Sequence, residues 1–396
     1  MDDSLIDDGR LSTTRKSQLP GAGFFYPDSL DADRKAERIE ATVSEATAIV
    51  VADSDADGLG CAALIREKYN DLRPWEPYQT QLQARIERYR GNKEESSESD
   101  EIELPTDSAV GIVGAGPHSI GQTLELVAES APQGVDLYIC DLCPDGFHHV
   151  KDSLTDAVAK ASSVRWFDHH QWEIETATAV REAGVELLIG DSDQECSTDV
   201  AYRGLSDDFD ERWEEIAAVT RDHDLWQKED PRSDDIADYA YWVSTEEYVT
   251  AIGTYGVELS SLIHEFLNLR RTEKQELIEA AVHRAELTEV GPWTVGVTYG
   301  RCSQNEVAEA LRTQGADAAV IVKPAGSASI RGSESFALAH KVAGYVNGGG
   351  HPKAAGCKPN IYDDMLDYAH HWSTQGATTK RVILDAFERV ATEQSD

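Results

Sequence analysis

The stretch Val50–Ile65, VVADSDADGLGCAALI, passes from an unbroken apolar run through three alternating aspartates and a glycine into a helical pattern. The run starts upstream as TAIVVAD and ends at Asp53, and Leu59–Tyr69 continues as an amphipathic stretch. A buried strand, a short polar turn and a helix open a parallel unit, because parallel strands need a crossover. The same grammar recurs. AVGIVGAG ends at Gly116, VDLYICD at Asp141 and VRWFDHH at His170, with amphipathic His148–Ala161 and Glu173–Ala183 following the last two. Such short apolar runs suit strands covered on both faces. The expected fold class is therefore α/β, with an N-terminal, doubly wound and mainly parallel sheet. Sites in such sheets form at the carboxyl ends of the strands, which is where the aspartates and histidines stand.

Farther out the pattern changes. Asn92–Glu103, NKEESSESDEIE, has a single apolar residue and reads as a solvated acidic loop inserted in the first domain. From Leu259 to Glu289 apolar residues recur at helical spacing until Gly291-Pro292, which reads as the stop of a long connecting helix. Beyond it WTVGVTYG, AAVIVKP and SASIRG read as strands, with helices at Asn305–Thr313 and Ser335–Asn347. The expected organisation is a first domain over 24–258, a connecting helix over 259–290 and a smaller α/β domain over 291–396. No internal repeat is evident.

Composition limits the partners. The chain has 73 acidic against 36 basic residues, a formal net charge of −37 in 396 residues. A chain this acidic repels phosphates at ordinary ionic strength. The excess is spread along the whole chain, however, as expected of a protein adapted to molar salt, where the Debye length falls to about 3 Å. Acidity of this kind speaks about solvent rather than substrate. MDDSLIDDGR has no apolar core of a secretion signal, no run approaches a membrane span, and six cysteines make no disulfide framework. A cytoplasmic location is expected, with no membrane partner. Cys140 and Cys143 form a C-x-x-C without a second pair, which favours ordinary thiols over zinc.

The chemistry concentrates at strand ends: Asp55 and Asp57, then Asp141, then Asp168-His169-His170. AAVTRDHDLW adds Asp222, His223 and Asp224 after a helical stretch. Clustered carboxylates are costly unless a multivalent cation balances them. Asp and His together suit Mn²⁺ or Mg²⁺, and the set is large enough for two ions, the arrangement that drives displacement at phosphorus. Plainer readings compete. The alternating aspartates fail as a calcium loop, since the twelfth position from Asp53 is Leu64. His148-His149 and His370-His371 fall in helical stretches and read as surface pairs. GAGPHSIG, Gly114–Gly121, misses the spacing of a dinucleotide-binding loop.

Taken in order, DSDADG (Asp53–Gly58), Asp141, DHH (Asp168–His170) and Asp222 resemble the four motifs of the DHH phosphoesterase family. GGGHPKAAG, Gly348–Gly356, resembles the glycine-rich motif of the DHH-associated domain, and SIRGS with Arg331 resembles its arginine strand. The likeness spans about Ala46 to Gly356, and the first motif is closest to RecJ-type nucleases. It implies two Mn²⁺ or Mg²⁺ ions and hydrolysis of phosphoric ester or anhydride bonds. By the same resemblance Asp55 and Asp57 are ligands of different ions and Asp141 bridges them. His169 and Asp222 complete one site, with Asp224 as the alternative to Asp222. Asp168 orients the histidines and His170 contacts the scissile phosphate. Arg331, Gly349, Gly350 and His351 hold the far end of the substrate. Many family members carry a histidine ligand just upstream of the first motif, where this chain has Val51 and Asp53; Asp53 is the substitute ligand to test.

The leading expectation is a metal-dependent phosphodiesterase acting on single-stranded nucleic acid or short oligonucleotides, as an exonuclease or nanoRNase, and compatible with a homodimer. The same chemistry on a cyclic dinucleotide, a nucleoside bisphosphate or polyphosphate is the alternative enzyme, and a non-catalytic replisome component the alternative from another class. The intact motifs favour an enzyme.

Overall fold

The computed structural model describes residues 28–91, 108–205, 209–363 and 365–394. The N-terminal MDDSLIDDGR and the acidic insertion at 92–103 lie outside the described residues. Two compact units emerge, one over Ala32–Leu269 and one from Arg270 onward.

The first unit is built on five parallel strands: β1 (Ala48–Ala52), β2 (Val110–Gly114), β3 (Val135–Cys140), β4 (Ala161–Asp168) and β5 (Glu186–Ile189). Their order is β2-β1-β3-β4-β5, with parallel pairing throughout. All five residues of β1 are buried, as a central strand covered on both faces requires. Ala48, Val50 and Ala52 point into one core, whereas Ile49 and Val51 point into the other; successive strand residues alternate faces. The second of these cores takes Ile39 and Val43 of α1 (Asp28–Val43) and the buried sides of α4 (Ile120–Ser130), α5 (Lys151–Lys160) and α6 (Ile174–Glu182). The first core is formed with α2 (Ala56–Lys68), α3 (Glu76–Tyr89), α7 (Ser197–Leu205), α8 (Glu211–Asp224), α9 (Pro231–Trp242) and α10 (Thr245–Tyr255). The chain leaves β1 toward β2 on one side and returns to β3 on the other. That reversal opens a crevice at the carboxyl ends of β1 and β3.

The unit boundary falls inside α11 (Ser261–His283). The expected helix to Glu289 is shorter than the sequence suggests: Glu286–Val290 is strand β6, paired antiparallel with β7 (Trp293–Tyr299). Gly291-Pro292 does not stop a helix but makes the two-residue turn between these strands, with Gly291 at φ 59°. The second unit continues through α12 (Gln304–Thr313), β8 (Ala318–Val322), β9 (Ala328–Gly332), α13 (Ala339–Gly344), β10 (Gly348–Gly350), β11 (Ala354–Cys357), α14 (Met365–Ser373) and α15 (Ala377–Glu393). Its sheet runs β10-β11-β9-β8-β7-β6 and is mixed, with β7 and β8 parallel. Val320, Ile330, Phe336 and Phe387 anchor its core. His371 is not a surface residue: it is buried, its Nε2 donating to the Lys323 carbonyl at 2.8 Å and its Nδ1 accepting from the Tyr362 hydroxyl at 2.8 Å.

Candidate metal centre

The aspartates after β1 are placed by the start of α2. Asp55 is its N-cap, one carboxylate oxygen accepting the backbone N–H groups of Asp57 (3.2 Å) and Gly58 (3.1 Å). A Cβ on Gly58 would stand 2.3 Å from the Asp53 carbonyl oxygen, and one on Gly60 would stand 2.5 Å from Thr198 Oγ1. The two glycines thus let α2 press against the end of β1 and against α7. Asp57, only 2% exposed, meets the first turn of α7. Ser197 N–H donates to its Oδ2 at 2.6 Å and Thr198 N–H to its Oδ1 at 2.7 Å. A helix N-terminus supplies both donors and a favourable dipole for a carboxylate.

Asp141 follows β3 with φ 58°, a left-handed conformation that a non-glycine residue holds only when its surroundings enforce it. Its N–H is bonded to the Phe167 carbonyl at 2.9 Å, tying the ends of β3 and β4 together, and its Oδ1 accepts from Ser197 Oγ at 3.0 Å. From β4, fully buried Asp168 accepts from His170 Nδ1 at 2.7 Å and from Trp172 Nε1 at 2.5 Å. Asp168 therefore orients His170. His169 Nε2 lies 3.8 Å from Asp141 Oδ1 and 3.3 Å from Asp224 Oδ2, the last residue of α8.

Charge is crowded here. Burial pushes the Asp57 carboxyl above its ordinary range, with His169 opposing and Asp55 adding to the rise. Asp141 is driven well upward by burial and then by Asp57, Asp55, Asp224 and Asp168. Asp224 reaches about 8, through loss of hydration and the charges of Asp57 and Asp55. Burial works to lower His170, yet its hydrogen bond to Asp168 and that carboxylate's charge bring it to about 9. A cation placed among these carboxylates would offset both their burial and their mutual repulsion. Two overlapping triads are compact enough to hold one: Asp141, His169 and His170, and Asp57, His169 and Asp224, with ligand atoms in each set within 4.8 Å of one another. The donors are oxygen and imidazole nitrogen without thiolate, which fits Mn²⁺ or Mg²⁺. His169 Nδ1 is buried without a hydrogen-bond partner among the described residues, so its ring is not committed elsewhere in the protein.

Asp222, the residue favoured from sequence, is turned away from this cluster. Its Oδ1 accepts Glu229 N–H at 2.8 Å and its Oδ2 accepts Ser233 Oγ at 2.6 Å. The structure brings Asp224 to the histidines instead. Asp53 stands at the end of β1, with one oxygen taken by Ser54 N–H at 2.5 Å. Neither Asp53 nor Asp55 belongs to a compact triad among the described residues; Asp55 acts on the centre through its charge. In the second unit, Arg331 on β9 faces Ala354 on β11 and donates Nε to Asn305 Oδ1 at 2.8 Å. Gly349 and Gly350 lie in β10, and His351 opens the turn to β11, its N–H bonded to the Ala354 carbonyl at 2.7 Å. Gly350 has φ 135°, and a Cβ there would meet the Ala354 carbonyl oxygen at 2.6 Å. Ser197 and Thr198 escaped sequence reasoning because they act chiefly through backbone N–H groups. The available signal was Asp199 at the third helical position, which accepts Cys196 N–H at 3.0 Å and so marks the helix start.

No protein-family model and no curated protein matches the chain. Solved structures do. The DHH domain of a protein described as a member of the s1p family of ribosomal proteins aligns with TM-score 0.53 at 13% identity, over 91% of this chain and 91% of that one. Exonuclease RecJ bound to manganese gives 0.49 at 14% identity, over 88% and 94% of the two chains. A pGpG-specific phosphodiesterase from Vibrio cholerae gives 0.44 at 12%, over 84% and 98%. At such identities the likeness speaks for architecture alone. The chain has the fold of a DHH-domain protein, a parallel α/β sheet followed by a smaller mixed α/β unit.

Proposed function

We propose that this chain is a metal-dependent phosphoesterase hydrolysing the phosphodiester bonds of single-stranded nucleic acid or short oligonucleotides. One observation carries the proposal: Asp57, Asp141, His169, His170 and Asp224, from four separate segments, converge at the carboxyl ends of β1, β3 and β4 with more negative charge than the protein balances. Asp57, Asp141, His169 and Asp224 would hold two Mn²⁺ or Mg²⁺ ions, with Asp141 shared and Asp55 contributing its free oxygen or its charge. Bound there, such ions supply an ionised water and charge neutralisation at phosphorus. His170, braced by Asp168, presents a proton-bearing ring to a phosphate oxygen, and Asp168 keeps that ring from rotating. The α7 N-terminus holds Asp57 in one orientation. In the second unit, Arg331, Gly349, Gly350 and His351 are assigned to gripping the substrate away from the cleaved bond, since arginine pairs with phosphate and glycine admits close backbone approach. We assign the activity to a cytoplasm rich in salt.

The test is purified protein with Mn²⁺ or Mg²⁺ in molar KCl, given end-labelled RNA and DNA oligomers, a cyclic dinucleotide, a nucleoside bisphosphate and polyphosphate. Cleavage of oligomers that is abolished by Asp141→Ala supports the proposal. Turnover confined to polyphosphate or the bisphosphate would replace the substrate, and full activity in Asp141→Ala would remove the centre.

A further inference from the structure

Helix α8 ends in a Schellman turn directly after Asp224. Trp226 N–H bonds to the His223 carbonyl at 3.0 Å and Gln227 N–H to the Asp222 carbonyl at 2.8 Å. The residue at the left-handed position of this turn is normally glycine, because a side chain there meets the backbone. Here it is Trp226, at φ 57°, and Lys228 two residues on also has φ 57°. Buried Asp222 holds the turn in place through Glu229 N–H and Ser233 Oγ. The strained turn displays a partly exposed indole, with the His223 ring 5.7 Å away edge-on and the Lys228 ammonium 3.8 Å from the ring centroid. Trp226 is two residues from Asp224, so their Cα atoms are at most about 7 Å apart.

We propose that Trp226, with Lys228 beside it, is a nucleobase-stacking subsite next to the metal centre. The inference rests on the phosphoesterase reading and deepens it, naming diesters that carry a base as the substrate class. Indole stacking accepts any base, because every base has a π-face. The Lys228 ammonium beside the indole carries the sign of charge that attracts the phosphate attached to that base. Such a subsite supplies a reason to keep tryptophan where glycine would relieve the backbone.

The experiment compares wild type, Trp226→Gly and Trp226→Phe on a short RNA diester and on the same diester made abasic on one side or the other of the cleaved bond. Wild type should favour the base-bearing diester by about tenfold or more in kcat/KM, expressed mainly in KM. In Trp226→Gly that ratio should fall toward one while the melting temperature holds or rises, and Trp226→Phe should retain most of the ratio. A ratio unchanged in Trp226→Gly, or equal losses on base-bearing and abasic diesters, would overturn the subsite and leave the turn as a support for Asp224. If wild type cleaves neither diester, the phosphodiesterase reading fails by itself. Equilibrium binding of a non-hydrolysable RNA dinucleotide and its abasic counterpart to wild type and Trp226→Gly then decides the stacking inference by the same ratio.

Discussion

At Asp222 and Asp224, two carboxylates in one helical turn divide structure from chemistry. Asp222 satisfies a backbone N–H and a buried hydroxyl, so Asp222→Ala leaves both without an acceptor. The buried Ser233 hydroxyl left unsatisfied costs about 1–3 kcal/mol, and the melting temperature should drop. Asp224→Ala removes a charge from a crowded cluster. It should leave the metal-free fold as stable or more so, and cut kcat at least about a hundredfold, beyond the roughly 10–100-fold typical of residues behind a ligand. Thermal melts and single-turnover rates on the two variants separate the roles; the opposite pattern would return the assignment to Asp222. Sequence alone left this pair ambiguous because both follow the same helix two residues apart, and only the path of the turn decides which one faces His169. The raised carboxylates also set a pH dependence. Asp57, Asp141 and Asp224 bind protons more tightly folded than unfolded, so their contribution to stability is fully present below about pH 4 and is lost as pH rises through their raised folded values, about 8 for Asp224. Without metal the protein should therefore melt at lower temperature at pH 8 than at pH 5.5. Because the ions displace those protons, the gain in melting temperature on adding Mn²⁺ should be larger at pH 8. An equal gain at both pH values would show that these carboxylates are not the ligands.

Among elements, α2 and α7 meet through Gly60 and Thr198, and this contact holds Asp57 against its two N–H donors. Gly60→Ala sets a methyl 2.5 Å from Thr198 Oγ1, so the Thr198 side chain must turn or α7 withdraw. Overpacking of this kind costs about 1–3 kcal/mol, and either movement should raise the Mn²⁺ concentration needed for half-maximal activity. Adding Thr198→Ala should restore part of the lost stability, a coupling expected of residues in contact. Simple additivity in melting temperature would mean that the two helices do not meet there. The strands that frame the site were legible because β1, β3 and the carboxyl-terminal part of β4 are apolar, mostly buried runs with their chemistry at the carboxyl end. β5 was missed, being four residues long with two of them only half-buried and one exposed. β10 was legible as a glycine motif but not as a strand, since three glycines carry no alternation of side chains. β6 hid inside a helical pattern because ELTEV offers two apolar residues that suit either period. Ser197 and Thr198 show a further limit: backbone N–H groups carry no residue identity.

For the whole molecule the dominant quantity is the net charge of −37, on a chain in which no described helix is long and apolar enough to cross a membrane. At 0.1 M salt the Debye length is about 10 Å, so surface carboxylates on neighbouring elements repel one another; at 1 M it is about 3 Å and they do not. Compaction and approach of a polyanionic substrate are opposed by the same field. Lowering KCl from molar to about 0.1 M should therefore lower the melting temperature and raise the KM for an oligonucleotide together. A basic nuclease behaves the other way, since dilution of salt tightens its phosphate contacts through counterion release. The buried centre should respond less than the surface, because pairs inside the protein are screened little by salt. Mn²⁺ affinity, set largely by buried Asp57 and Asp141, should accordingly vary less across the KCl series than KM does. Measuring melting temperature, KM and the half-saturating Mn²⁺ concentration at five KCl concentrations tests all three. Stability and KM that both improve at low salt would show that the acidity serves something other than a saline solvent.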